Sequence, residues 1–423
     1  MNKIGKGKIR DFASYAKKSE ETPARETPAD DKSGTRRIAL NEPSYIEKIR
    51  SHRLAIFYRT ALGIALVAAL LAVCYISWRD KIFTEAVEIS TAPVSDVRDA
   101  QFISFGENFL KYSKDGISCM NSSGDALWNQ TYEMQSPMVH TSGEVVAVGD
   151  YNGHMIYIAG KNGPAGTVDT NLPIRNFAVA SQGVVAAVLD DKDVTWIYLY
   201  DSEGNPLASF KTTMADSGYP VAVALSPNGQ LVAVSFLYAS EGRLKSSVAF
   251  YNFGSVGQNA IDNYVSGYDY TGVVVPYISF LNENTVCAVA DDRIMFFEGA
   301  QIPTSLAEHL TSGDEIIGVY CANEHAGLLF HNNTSEGAYR LQIYDKSGAR
   351  ASVIYFDQQF EDIMLLKDRV IVYGSDAWIV YDMNGDQKFA GAFDEPVRVL
   401  APTDLRNRFT AVTSNAVKTY ELR

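Results

Sequence analysis

"VAVALSPNGQLVAVSF", residues 221–236, sets two apolar runs on either side of a short polar turn. Pro227 presets φ for the first central turn position, and Gly229 suits the last. Two short runs joined this tightly read as antiparallel strands. The runs are apolar almost without break, so the hairpin is buried on both faces. Four other stretches repeat the arrangement: "NFAVASQGVVAAVL" (176–189), "ISFLNENTVCAVA" (278–290), "DIMLLKDRVIVYG" (362–374) and "VLAPTDLRNRFTAV" (399–412).

A second marker follows these hairpins. "YDSEG" (200–204), "YDKSG" (344–348) and "YDMNG" (381–385) each close an apolar strand with Tyr-Asp and a turn ending in Gly. The Asp accepts hydrogen bonds from amides just beyond it, and the Gly supplies positive φ. Looser copies are "ISCMNSSG" (117–124), "MIYIAGKNG" (155–163), "VAFYNFG" (248–254), "IMFFEG" (294–299) and the terminal "AVKTYELR" (416–423). Aligned on strands at 117, 155, 197, 248, 294, 341, 378 and 417, the copies recur every 37 to 51 residues.

A period of roughly 40–50 built from strands alone predicts a β-propeller with four strands per blade. The fold class is therefore all-β over 81–423, with eight blades, or seven if one weak copy is misread. The opening stretch becomes the two inner strands of the fourth blade. "PTSLAEHLTSG" (303–313) reads as at most one short helical turn. The last copy lacks a fourth strand, and "KIFTEAVEIS" (81–90) is expected to supply it and close the ring.

The N-terminal part is different. Residues 1–59 hold 14 basic and 8 acidic residues; the remaining 23 basic and 42 acidic residues give the rest a net charge of −19. Between them, 60–78 ("TALGIALVAALLAVCYISW") carries no charge. As a helix it measures about 28 Å, close to the hydrocarbon thickness of a bilayer. Arg59 and Arg79 mark its ends, with Tyr75 and Trp78 at interfacial positions. The plainer alternative is a buried core helix. A cleaved signal would need a charged leader of nearly 60 residues.

The expected partner of 60–78 is thus the lipid bilayer. Lys48, Arg50, Arg53 and Arg59 on one side outnumber Arg79 and Lys81 on the other. This bias places the N-terminus inside and the propeller outside the cytoplasmic membrane. Residues 1–43 are polar, contain Pro and lack apolar periodicity, as a disordered tail does. Ser44-Tyr-Ile-Glu47 forms a capping box, opening a helix over 44–79.

At the level of motifs, "SPNGQLVAVS" resembles the strand-turn-strand of WD40-type and TolB-type propellers. "NSSGDALWNQ" (121–130) resembles the Gly-x-x-x-Trp turn of quinoprotein-like propellers, with Gly124 and Trp128 in those roles. The layout over 45–423 resembles a membrane-anchored bacterial propeller family of unknown function from clostridia-like Gram-positives. The resemblance implies a fold and no activity. The WD dipeptide and the vicinal Cys-Cys pair are absent, so no quinone cofactor site is carried over.

The sequence is poor in catalytic patterns. His52, His140, His154, His309, His325 and His331 form no metal-ligand spacing, and GxSxG, P-loop and GxGxxG motifs are missing. "DDKD" (190–193), "DD" (291–292) and "DMNGD" (382–386) are acidic turns, the last with a faint calcium-loop pattern but no distal Glu. Catalytic, cofactor and metal residues are therefore predicted as none. Cys119, Cys287 and Cys321 read as free thiols, with a Cys287–Cys321 bridge between neighbouring strands as the alternative.

Acidity of the body disfavours nucleic acid. Among 24 tyrosines, Tyr264, Tyr268, Tyr270 and Tyr277 cluster in 262–277, read as an inter-blade loop. Loop tyrosines favour recognition surfaces, whereas packing between blades is the structural alternative. The expected function is a non-enzymatic binding or scaffold module of the cell envelope with a protein or envelope partner. The alternatives are a hydrolytic or quinone-linked enzyme in the channel, where Arg175 and Arg398 interrupt apolar inner strands, or a propeller facing the cytoplasm.

Overall fold

The computed structural model describes residues 45–94, 100–192, 194–214, 217–240, 242–311 and 313–423. The expected tail 1–43 and the capping Ser44 lie outside them. The chain divides into two units, 1–76 and 77–423. In the first, one helix runs Tyr45–Arg79, and its stretch His52–Ser77 is long and apolar enough to cross a membrane. Large apolar side chains such as Leu62, Ile64, Leu66 and Leu70 project from it exposed. Over 60–77 this helix carries no charged residue and so no polar face to offer water, unlike a surface helix.

The second unit is a propeller of eight four-stranded antiparallel sheets. Blades one to seven occupy 101–131, 137–169, 174–213, 219–271, 277–310, 316–356 and 362–392. Blade eight joins Val399–Pro402, Arg408–Val412 and Ala416–Leu422 to the strand Ala86–Pro93. First strands touch across seams such as those of blades two and three, three and four, four and five, and six and seven, which places them at the inner wall of the ring.

The alternation expected of a sheet explains the unbroken apolar runs. In blade four, Val223, Leu225, Val232, Val234 and Phe236 pack towards blade three, against Ala178, Ala186 and Leu199. The residues alternating with them, Ala222, Ala224 and Ala233, pack towards blade five with Val248 of the third strand, against Val286 and Phe297. Successive residues of the inner strands thus meet a neighbouring blade on one side or the other. Burying a side chain of the size of Phe236 contributes about 2 kcal/mol or more.

The turn marker works as local chemistry dictates. Asp201 Oδ1 accepts from the Glu203 and Asn205 amides at 2.9 and 2.8 Å. Asp382 Oδ1 does the same with Asn384 and Asp386 at 2.9 and 3.0 Å. Gly204 sits at φ +91°, and a Cβ there would stand 2.2 Å from the Thr167 carbonyl oxygen of blade two. Both the torsion and the close approach require Gly.

Ring closure follows the expected route. Ala86–Pro93 pairs antiparallel with Ala416–Leu422, from Ala86 opposite Leu422 to Pro93 opposite Ala416. Lys418, almost buried, is held by Glu88 at 3.1 Å and Glu395 at 3.3 Å. The strand starts at Ala86 rather than at Lys81; Thr84 instead donates its amide to the Arg423 carbonyl at 2.7 Å.

Two sequence readings are corrected here. Thr304–Leu310, inside the expected helical turn, is the outermost strand of blade five. The expected tyrosine-rich loop is largely the outermost strand of blade four, Tyr264–Thr271, and Tyr277 opens the inner strand of blade five. Both outer strands alternate exposed and partly buried residues, a period of two that the sequence masks with polar and aromatic residues.

Candidate docking face

Each blade has two ends. The first-to-second and third-to-fourth turns lie at one, where the chain also joins the ring at Ala86 beside Leu422. The second-to-third hairpins and the crossings between blades lie at the other. At this second end, blades two, three and four bring together Tyr151, Arg175 and Tyr219.

The cluster is built on backbone bonds between blades two and three. Asn152 in the hairpin of blade two takes φ +64°, a left-handed conformation that Asn tolerates. Its amide donates to the Ile174 carbonyl at 2.8 Å, and the Ile174 amide donates to the Gly153 carbonyl at 2.9 Å. Asp150 steadies the crossing before it, accepting from the Ser136 amide at 2.7 Å.

On this frame the Arg175 guanidinium is fixed from three directions. Nε donates to Asp190 Oδ2 at 2.9 Å and Nη2 donates to the same oxygen. Nη1 donates to Asn152 Oδ1 and to the Tyr151 hydroxyl. The guanidinium carbon lies 5.7 Å from the Tyr151 ring centroid, within cation–π range. Tyr219, whose hydroxyl is pushed up by burial, lies within electrostatic reach of both. Tyr151 and Tyr219 remain 44% and 41% exposed, and Met214 and Leu244 are exposed at the same end. Asp190 pairs with the guanidinium, and the two exposed tyrosines give this end of the ring an aromatic surface.

The four tyrosines singled out in the sequence fall differently. Tyr268 donates to the Pro303 carbonyl at 3.2 Å and accepts from the Ser305 amide at 3.2 Å, bridging blades four and five. Tyr270 packs in the same inter-blade core, with Arg293 5.9 Å from its ring. Tyr277 is packed between blades five and six. Tyr264 is open to solvent near Ile261 and Ile302, which are exposed too. The structure therefore does not bring the four together on one surface.

The channel offers little chemistry. One half is lined by residues including His140, Asn176, Val221 and Tyr277, the other by Tyr320, Cys321 and Asp362. Asp362 is the one carboxylate among these linings. Burial pushes its acid upward, against hydrogen bonds from the Ile363 amide and the Tyr373 hydroxyl. His140 stands edge-on to Phe177 at 4.7 Å, and burial pushes its imidazole down. Among the described residues, no group of three His, Cys, Asp or Glu is placed to hold a metal.

Sequence reasoning missed Tyr151, Asn152 and Tyr219. Its one signal for this site was Arg175, a charge interrupting an apolar inner strand.

Comparison with solved structures returns propellers. Sqt1 from Chaetomium thermophilum aligns at a TM-score of 0.50 with 13% identity, covering 79% of this chain and 98% of that one. BamB from Moraxella catarrhalis aligns at 0.45 with 10% identity, over 80% of this chain and 100% of that one. The Neurospora crassa Pan2 WD40 domain aligns at 0.42 with 12% identity, over 68% and 88%. At 13% identity the likeness to Sqt1 is one of fold alone. No curated protein sequence matches the chain. Residues 79–422 match the model of a family of unknown function, DUF5711, and the chain belongs to that family.

Proposed function

We propose that the chain is a single-pass membrane protein whose propeller lies outside the cytoplasmic membrane and docks a protein partner without catalysing a reaction. The observation that carries the docking is the Tyr151–Arg175–Tyr219 cluster. Arg and Tyr dominate the energetics of protein interfaces, and groups already locked by hydrogen bonds lose little entropy on binding. That the two channel linings hold a single carboxylate, Asp362, supports a scaffold over an enzyme. The apolar helix and the basic residues Lys48, Arg50, Arg53 and Arg59 support the anchor and its orientation. Tyr264 with Ile261 and Ile302 is proposed as a lesser contact at the opposite end of the ring.

Two measurements test this reading. Protease added to intact protoplasts should digest the propeller, and full protection of residues 81–423 would contradict the orientation. The Tyr151→Ala, Tyr219→Ala double variant should lose a partner that co-purifies with the wild type while keeping its Tm. An unchanged partner yield at unchanged Tm would reject this docking face.

A further inference from the structure

Blades five and six meet at a pair of thiols. Cys287 lies on the second strand of blade five, Thr285–Val289, opposite Ser279 and fully buried. Cys321 lies on the inner strand of blade six, Ile316–Ala322, and is partly exposed. The two belong to one inter-blade core with Tyr277, Leu281, Ala326 and Leu328. Val319 and Cys321 turn toward this core, while Tyr320 between them turns to the core shared with blade seven, so the Cys321 side chain faces blade five. Both cysteines are free, and Cys321 lines the channel cavity while Cys287 does not.

We infer that Cys287 and Cys321 form a redox-active dithiol, converted to an inter-blade disulfide by exchange with an external disulfide that reaches Cys321 through the channel. The asymmetry of the pair sets the order of steps. Burial, with Cys321 beside it, holds the Cys287 thiol well above its ordinary value, so it is a poor first nucleophile. Cys321, the accessible sulfur, deprotonates and attacks one sulfur of the oxidant R–S–S–R, releasing one R–SH and leaving Cys321–S–S–R. Cys287 then gives up its proton and attacks the Cys321 sulfur, releasing the second R–SH. Two protein thiols are oxidised, one external disulfide is reduced to two thiols, and the protons go with the leaving groups. The bond ties the wall of the channel to the second layer of the neighbouring blade.

The pair is distinct from the other two cysteines. Cys119 is buried in blade one with its thiol pushed up to about 11 by burial, and Cys74 lies on the helix. The core around Cys119 holds no second cysteine, so Cys119 has no resolving partner there.

The test uses the full chain in detergent micelles, incubated with glutathione disulfide, blocked with N-ethylmaleimide and mapped by mass spectrometry without reduction. The expected result is a peptide linking Cys287 to Cys321, restored to two alkylated peptides by dithiothreitol. Cys321→Ser should abolish the link, while Cys287→Ser should stop at a stable glutathione adduct on Cys321. Independently alkylated Cys287 and Cys321 after exposure to the oxidant, in wild type that retains its Tm, would overturn the proposal. A wild-type adduct on Cys321 that never resolves would overturn it too. The redox state in cells separates this from the topology: a pair that links in micelles yet is isolated reduced from intact cells supports the dithiol and counts against a propeller outside the membrane.

Discussion

At the scale of single residues, the repeated Asp at the third-to-fourth turn shows how far local chemistry reaches. Its spacing to the following Gly was legible because both partners of each hydrogen bond lie within four residues. Its role in blade seven was not. There Asp382 is buried and also pairs with Lys388 at 3.2 Å, with 7% and 12% of the two side chains exposed. Burial pushes the Asp382 carboxyl up, but the Asp386 and Asn384 amides and Lys388 outweigh it, and the net direction is down. A carboxyl held down in the folded state stabilises fully above its unfolded value, about pH 4, and loses that contribution as the pH falls through the folded value. Asp382→Asn keeps the turn acceptor but strands a buried ammonium, at a cost of about 3 kcal/mol at pH 7. Urea denaturation should show that deficit shrinking towards pH 3; an equal deficit at both pH values would remove the ion pair from the account.

Among the elements, the strand Ala86–Pro93 matters most, because it alone ties the two termini of the propeller together. Its existence was legible as a strand without a blade opposite a blade without a strand. Its start was not, because Ile82 and Phe83 are as apolar as the residues that do pair. Removing residues 1–94 should leave Ala416–Leu422 as an open edge and strip Glu88 from the nearly buried Lys418. Compared with a chain lacking only residues 1–80, this truncation should melt several degrees lower and aggregate on heating. Equal Tm values by calorimetry would show that closure contributes nothing. The two misread elements share one cause. In Thr304–Leu310 the apolar Leu306, Ala307 and Leu310 stand at helix-like intervals, and in Tyr264–Thr271 the Ser, Gly and Asp residues imitate a loop. Outermost strands are half-exposed, so their apolar signal is weak, and it is pairing to the third strand that fixes them.

Within blade seven, Trp378 is fully buried, stacked on Phe393 at 5.4 Å and edge-on to Phe409 of blade eight at 5.2 Å. Trp378→Ala should cost about 3–5 kcal/mol, the range for deleting a large buried aromatic. A loss under about 1 kcal/mol in urea denaturation would mean that blades seven and eight do not depend on this contact.

For the whole molecule, fold and site differ in how they are written. The fold repeats, so eight imperfect copies of one strand pattern reinforce each other along the chain. The docking face is assembled once, from a hairpin tip of blade two and the first residues of two inner strands. Tyr151, Arg175 and Tyr219 lie 24 and 44 positions apart, and only ring geometry makes them neighbours. The tyrosines that do cluster in sequence are distributed by the same geometry between a blade–blade seam and an open edge. The central claim, that the Tyr151–Arg175–Tyr219 end of the ring binds a partner, is tested most directly by photo-crosslinking in living cells. A benzophenone amino acid at Tyr151 or Tyr219 should yield one discrete adduct that the same probe at Leu127, exposed on the outer strand of blade one, does not. Discrete adducts from Leu127 with none from Tyr151 and Tyr219 would contradict the account.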